Sequence, residues 1–276
     1  MPSSTPKIGL ALSGGAARGM AHVGVLRALA ENNIPIDCIA GTSAGSIVAG
    51  AYASGMPIDD IAEFGRNLRW RDIGRVTMSR LGIQSNERLE LYLRARLPIT
   101  KFEDLPIPFA AVATDLKTNT AVVMRDRGDV PFAIRASCTI PGWYVPVVDE
   151  QGRQLVDGGL VAVIPTVVTR SLGADLVIAV DVNTQGATFI GSSSSSVIGV
   201  LLQSMMVVQK TASAHQLEMS DFVISPMVGH IRWDEMGRAD ELIAAGYEAG
   251  LKNITEIREL IDSAGNKEAQ RQEMLA

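Results

Sequence analysis

Apolar and polar positions along the chain fall into two alternating kinds of segment. Short, nearly unbroken apolar runs occupy residues 7–12, 36–40, 109–115 and 174–182. Runs of that length and character predict strands buried on both faces. Shorter runs at 120–124, 143–148, 155–157 and 221–225 predict further strands. Between them lie segments with helical spacing. Residues 20–31 place Met20, Val23, Leu26 and Leu29 on one side, and Pro57 opens a helix carrying Ile58, Ile61 and Phe64. A small-residue helix runs from the Ser43 region to about Ser54, and further helices are predicted at 131–136, from Pro165, at 197–219 and at 239–261. Strands alternating with helices predict an α/β fold: a three-layer sandwich with a largely parallel central sheet and helices on both faces. One domain is expected over residues 5–265. The serine run 192–196 reads as a flexible surface loop and 266–276 as a polar, frayed tail.

The pattern breaks at residues 65–104. Arg66, Arg69, Arg71, Arg75 and Arg80 crowd this stretch, interleaved with Leu68, Trp70, Ile73, Met78 and Leu81. It reads as an insertion capping the domain. Either it is a helical segment with a solvated arginine face, or it meets an anionic, amphiphilic substrate or a membrane surface.

Composition narrows the partners. At 276 residues, 47% apolar and 20% charged, the chain can bury a sizeable core. A net charge of −5 argues against nucleic acid, which needs an excess of Lys and Arg. The two cysteines, Cys38 and Cys138, form no metal spacing or disulfide framework and read as buried thiols. No run reaches the roughly 18 apolar residues that span a bilayer; the longest, 197–208, is interrupted by Gln203 and Ser204. Residues 1–6 are short and polar, with no signal-peptide core. A cytoplasmic protein is expected, with contact at the inner membrane surface at most peripheral; the oligomeric state is not legible.

Three motifs carry chemistry. Gly41-Thr42-Ser43-Ala44-Gly45, between a strand and a helix, has the spacing of a nucleophile elbow. A sharp turn exposes the serine oxygen, while Gly41 and Gly45 remove side chains that would clash across it. The competing reading is a packing turn with Ser43 as an N-cap. Gly14-Gly15-Ala16-Ala17-Arg18-Gly19 follows the first strand and opens the first helix. Its spacing is neither a dinucleotide fingerprint nor a phosphate-binding P-loop. An oxyanion hole fits best, since that needs only adjacent N–H groups and small residues; the alternative is a tight strand–helix turn with no ligand. Asp157-Gly158-Gly159 ends a short strand, with a carboxylate that two glycines leave accessible, or forms a simple turn between strands.

A serine nucleophile needs a base. Of the three histidines, His22 lies in the first helix, His215 within a later one and His230 in a loop. The order Ser43, Asp157, His230 matches a conventional hydrolase triad. Alternatively Asp157 acts on Ser43 directly. The three glycine-bearing motifs, with Ser137-Cys138-Thr139-Ile140-Pro141-Gly142 ahead of the aspartate, closely resemble those of the patatin-like phospholipase family. The resemblance covers residues 7–183 and leans toward the bacterial branch akin to the neuropathy target esterase catalytic domain. It implies a Ser43–Asp157 dyad hydrolysing lipid acyl esters without metal or other cofactor. It further implies an oxyanion hole around Gly14, Gly15, Ala16, Arg18 and Gly19, with Gly41, Gly45, Gly158 and Gly159 as supporting positions. The rivals are a lipid-binding or regulatory module that keeps the motifs without turnover, and a nucleotide-binding enzyme built on the first glycine loop.

Overall fold

The computed structural model describes residues 6–183 and 197–275; the serine run at 192–196 lies outside them. The strands are β1 (Ile8–Leu12), β2 (Cys38–Thr42), β3 (Arg75–Val76), β4 (Gly82–Ser85), β5 (Phe109–Asp115), β6 (Thr120–Arg125), β7 (Gly142–Tyr144), β8 (Val147–Val148), β9 (Gln154–Asp157), β10 (Leu176–Val180) and β11 (Phe222–Ile224). The helices are α1 (Met20–Glu31), α2 (Ala44–Ala53), α3 (Ile58–Asn67), α4 (Trp70–Ile73), α5 (Glu87–Arg94), α6 (Val130–Ser137), α7 (Thr166–Ser171), α8 (Val197–Glu218) and α9 (Ala239–Leu275).

The main sheet runs β11-β10-β1-β2-β5-β9-β8, with β6 also paired to β5. From β11 through β5 every neighbour is parallel, while β9, β8 and β6 join antiparallel. The period-2 alternation of a strand sends successive side chains to opposite layers. Ile8, Leu10 and Leu12 join Ile39, Ile178 and Val180 in a core with α1 and α2 residues Val25, Leu26, Val48 and Ala49. On the other face Ala11, Cys38, Val177 and Ala179 pack against Val163, Ile164, Ala174 and, from α8, Leu217. The sandwich has three layers, as the alternating pattern predicts.

Three expectations are corrected. The predicted strand at 143–148 is two strands in two sheets: β7 pairs with β4, and β8 pairs with β9. Pro146 lies at the break and has no N–H to continue a ladder. The insertion at 65–104 is not simply helical. It holds a β3–β4 hairpin that forms a small sheet with β7. The final helix continues to Leu275 instead of fraying, through a segment rich in Ala, Lys, Glu, Gln and Arg, all strong helix formers. Among the described residues no helix is long and apolar enough to cross a membrane.

Candidate active site

Sheet register brings the motifs together. Thr42, the last residue of β2, stands opposite Val112 of β5, and the next β5 residue, Ala113, stands opposite Asp157 at the end of β9. Strand β6 fills the other edge of β5 from Ala110 to Asp115, so β2 and β9 lie end to end along one edge, and Ser43 and Asp157 face each other where the two strands abut. On the far side of β2, β1 ends at Leu12 and delivers the glycine loop to the same edge. This is the carboxyl end of the parallel strands, where open α/β sheets hold their ligands.

Ser43 has φ 51° and ψ −125°, a left-handed conformation outside the usual range for a residue with a side chain. Among the described residues, four non-glycine residues besides Ser43 have positive φ, and three of them are Asn33, Asn119 and Asp126, types that tolerate it. The fourth is Ala16 in the glycine loop, at φ 48°. Backbone strain not explained by residue type thus falls at two points, and both line one cavity. The elbow closes tightly around Ser43. A side chain at Gly41 would strike the Gly45 backbone, and one at Gly45 would strike the Leu12 and Ser13 carbonyls. The Ser43 N–H donates to the Ser137 hydroxyl at 2.9 Å, and the Ser46 hydroxyl donates to the Ser43 carbonyl at 2.6 Å. The N-terminus of α2 begins at the next residue, so its unsatisfied amides lie beside the serine.

Asp157 is buried. Burial raises its carboxyl to about 6, opposed by the neighbouring Ser43 hydroxyl and by the Gly159 N–H, which donates to it at 2.8 Å. Its backbone is pinned on both sides: its N–H donates to the Thr139 carbonyl at 2.7 Å, and the Thr114 hydroxyl donates to its carbonyl at 2.9 Å. Ser137 and Thr139 therefore brace Ser43 and Asp157 from a single turn of chain. Their part was not read from the sequence. The signal available was the Ser137 hydroxyl ahead of Pro141, in a motif that the resemblance had already singled out; Thr139 acts through its backbone carbonyl, which no side chain announces.

The glycine loop is divided in its roles. The Gly14 N–H donates to the Val163 carbonyl at 3.0 Å, and the Arg18 N–H donates to Gly15 at 3.1 Å. The Arg18 side chain is fully buried and donates through Nε to the Ile231 carbonyl at 2.7 Å. Gly14 and Arg18, expected among the oxyanion donors, have these groups committed elsewhere. Gly19 packs against Ala44 at the end of a short 3-10 turn. Gly15 and Ala16 both line the cavity, and among the described residues their N–H groups carry no intramolecular hydrogen bond. Asn183 fixes the loop by donating to the Gly14 carbonyl at 2.6 Å.

No histidine enters the site. His22 is buried and donates through Nε2 to the Ser13 carbonyl at 2.9 Å; burial lowers it to about 4 and keeps it neutral. His215 is exposed beside Glu218. His230, the base of the alternative triad, is 58% exposed and pairs with Glu241 at 2.8 Å, away from the cavity walls. The same loop sets Trp233 in the cavity wall, but the His230 side chain is turned to Glu241 of α9, so the triad order found in the sequence has no counterpart in space.

Two chambers meet at Ser43, Ala16 and Ile140. The wider, about 370 Å³, is walled by the glycine loop, Asp157, Trp143, Trp233 and the α8 side chains Leu202, Met205, Met206 and Gln209. The narrower, about 80 Å³, is almost wholly apolar, with Met20, Ile47, Ile61, Phe64, Leu68 and Leu89 in its wall. Cys138 also borders it, with burial raising the thiol well above its ordinary range, so that it stays protonated.

A three-layer α/β sandwich with a strained serine elbow at the carboxyl end of its parallel strands defines the structural class. The model of the patatin-like phospholipase family matches residues 10–169, and the chain belongs to that family. An uncharacterized NTE family protein of Mycobacterium tuberculosis is 41% identical over 184 residues, covering 66% of this chain and 50% of that protein. This chain thus spans about half the length of that relative. Lysophospholipase NTE1 of Mycosarcoma maydis is 39% identical over 183 residues, covering 63% of this chain and 10% of that one. Among solved structures, VipD from Legionella pneumophila shares the fold at TM-score 0.56 and 16% identity, over 94% of this chain and 67% of that one.

Proposed function

We propose that the protein is a serine acyl-ester hydrolase acting on lipids, of the phospholipase A or lysophospholipase type, and that it works through a Ser43–Asp157 dyad. One observation carries this reading: a strained serine and a buried carboxylate border one cavity whose walls hold no histidine. Family membership and a relative named as a lysophospholipase support the substrate class.

A carboxylate is a weak base in water, but one raised to about 6 is matched to proton transfer near neutrality. Asp157 takes the Ser43 hydroxyl proton as the oxygen attacks the ester carbonyl carbon. The Gly15 and Ala16 N–H groups stabilise the oxyanion, with help from the α2 dipole. The bond to the leaving alcohol breaks, and Asp157 returns the proton to that oxygen. Water then attacks the acyl-serine, again losing a proton to Asp157. As the acyl–Oγ bond breaks, Asp157 returns that proton to the Ser43 oxygen, and the free carboxylic acid departs.

The chambers suggest a division of the substrate. The narrow apolar chamber takes the acyl end, and the wide one takes the alcohol portion against α8. A cavity of about 80 Å³ is roughly half of one that admits benzene, so it holds the first few carbons of an acyl chain beside the carbonyl, and the rest of a lipid chain extends beyond it.

Covalent labelling tests the reading. A fluorophosphonate should attach to Ser43 of the wild type, identified by peptide mass, and leave Ser43→Ala unlabelled. Failure of a folded wild type to label would leave a lipid-binding module without turnover.

A further inference from the structure

The β3–β4 hairpin carries a surface that the catalytic reading does not use. Val76, Met78, Leu81 and Ile83 are all exposed, Met78 completely at 103% and Val76 at 74%. Singly exposed apolar side chains are ordinary, but four within eight residues form a patch. Arg75 and Arg80 are exposed among them, and among the described residues neither stands in an ion pair. No Asp or Glu occurs between Ile73 and Asn86, in a chain whose net charge is −5. The hairpin is therefore a local concentration of unneutralised cation around an apolar tip, on a protein that is acidic as a whole.

That pairing fits the boundary of a bilayer. Apolar tips settle among acyl chains while guanidinium groups stay level with phosphates. The hairpin is also joined to the site. Strand β4 pairs in parallel with β7, Gly82 opposite Gly142 and Gln84 opposite Tyr144, and the Val145 N–H donates to the Gln84 carbonyl at 2.8 Å. On β7, Trp143 borders the wide chamber and Tyr144 the narrow one.

We propose that residues 75–83 form a docking hairpin for lipid surfaces with anionic headgroups, and that docking holds the Ser43 cavity at the surface that supplies its substrate. The second clause rests on the hydrolase reading; the first stands without it.

Co-sedimentation with vesicles tests this, using Ser43→Ala so that no lipid is consumed. The Ser43→Ala protein with its hairpin intact should bind phosphatidylcholine vesicles containing phosphatidylglycerol far better than pure phosphatidylcholine, and added salt should weaken binding. Arg75→Gln with Arg80→Gln should cost about fivefold per arginine on the anionic vesicles. Met78→Ser with Leu81→Ser should weaken binding to both compositions. The same changes placed in the wild type should leave hydrolysis of dissolved p-nitrophenyl butyrate unaltered. Binding that is equal in all variants, or absent from anionic vesicles, overturns the proposal. So does a change in lipid-free oligomeric state as the only effect, because the hairpin would then dock a second copy of the chain. Hairpin-dependent binding by a protein that hydrolyses no ester would uphold docking and defeat the hydrolase reading separately.

Discussion

The Ser137 hydroxyl accepts the Ser43 N–H at 2.9 Å and donates to the Val112 carbonyl at 2.6 Å. One buried oxygen thus ties the strained elbow to the central strand β5. Ser137→Ala would leave two buried backbone groups unpaired, at a cost of about 1–3 kcal/mol in stability. Because the same bond helps hold Ser43 at its left-handed φ, kcat should fall while KM changes little. Urea unfolding beside steady-state kinetics on a p-nitrophenyl ester separates the two effects. A loss of stability with kcat intact would assign the elbow's geometry to Gly41 and Gly45 alone.

Replacing the candidate bases distinguishes the dyad from a triad. Asp157→Asn keeps the shape of the side chain and an oxygen for the Gly159 N–H, but it cannot take the serine proton. Its kcat should drop by about two to four orders of magnitude. His230→Ala removes only an exposed pair with Glu241, so kcat should match the wild type and stability should move by no more than about 0.5 kcal/mol. Comparable losses in both variants would restore the triad.

The raised Asp157 carboxyl links activity and stability to pH with opposite signs. Below about pH 6 the carboxylate takes up a proton, so kcat/KM should decline as pH falls through that value. For stability, the unfolded group has an ordinary value of 3.8 and the folded one about 6. Below the lower value both states are neutral and burial is unopposed. Between the two, unfolding releases a proton, and stability falls as pH rises. Above the upper value the full penalty of about 3 kcal/mol applies. Asp157→Asn escapes it. The variant should therefore melt above the wild type at pH 7–8, and the gap should close toward pH 4. A gap independent of pH would place its cause in packing instead of charge.

The parts of the site legible in sequence are those whose cause is local. Gly41 and Gly45 are required by atoms within the same turn, or in the adjoining strand, so their spacing singled out Ser43, though against the rival reading of an N-cap in a packing turn. Asp157 could be placed beside Ser43 only through family resemblance, because the bridging register runs through an antiparallel β5–β9 pairing that no local pattern encodes. Arg18 misled for the same reason: its neighbours in sequence are loop glycines, but its hydrogen-bond partner is Ile231, far along the chain. The hairpin at 75–85 was hidden by β3, a strand of only two residues, both exposed, which leaves no alternation to detect. The run at 143–148 looked continuous because Pro146 interrupts hydrogen bonding more than it interrupts hydropathy.

Chain-length preference should respond to Gly65 on α3. Gly65 and Met20 share the wall of the narrow chamber, and a Cβ at Gly65 would overlap the Sδ and Cε of Met20. Those atoms are the free end of a flexible side chain, so the fold can absorb Gly65→Ala by swinging Met20. Ala also favours the helix by about 1 kcal/mol over Gly, which offsets part of the strain. The displaced methionine has the chamber as its open space and takes up volume there. If the acyl group occupies this chamber, kcat/KM for p-nitrophenyl butyrate should fall relative to the acetate, by about tenfold for each methylene excluded. Acetate hydrolysis itself should stay near the wild-type rate, since Ser43, Asp157 and the glycine loop are untouched. An unchanged butyrate-to-acetate ratio would instead put the acyl chain in the wide chamber under α8, reversing the assignment of the two halves of the substrate.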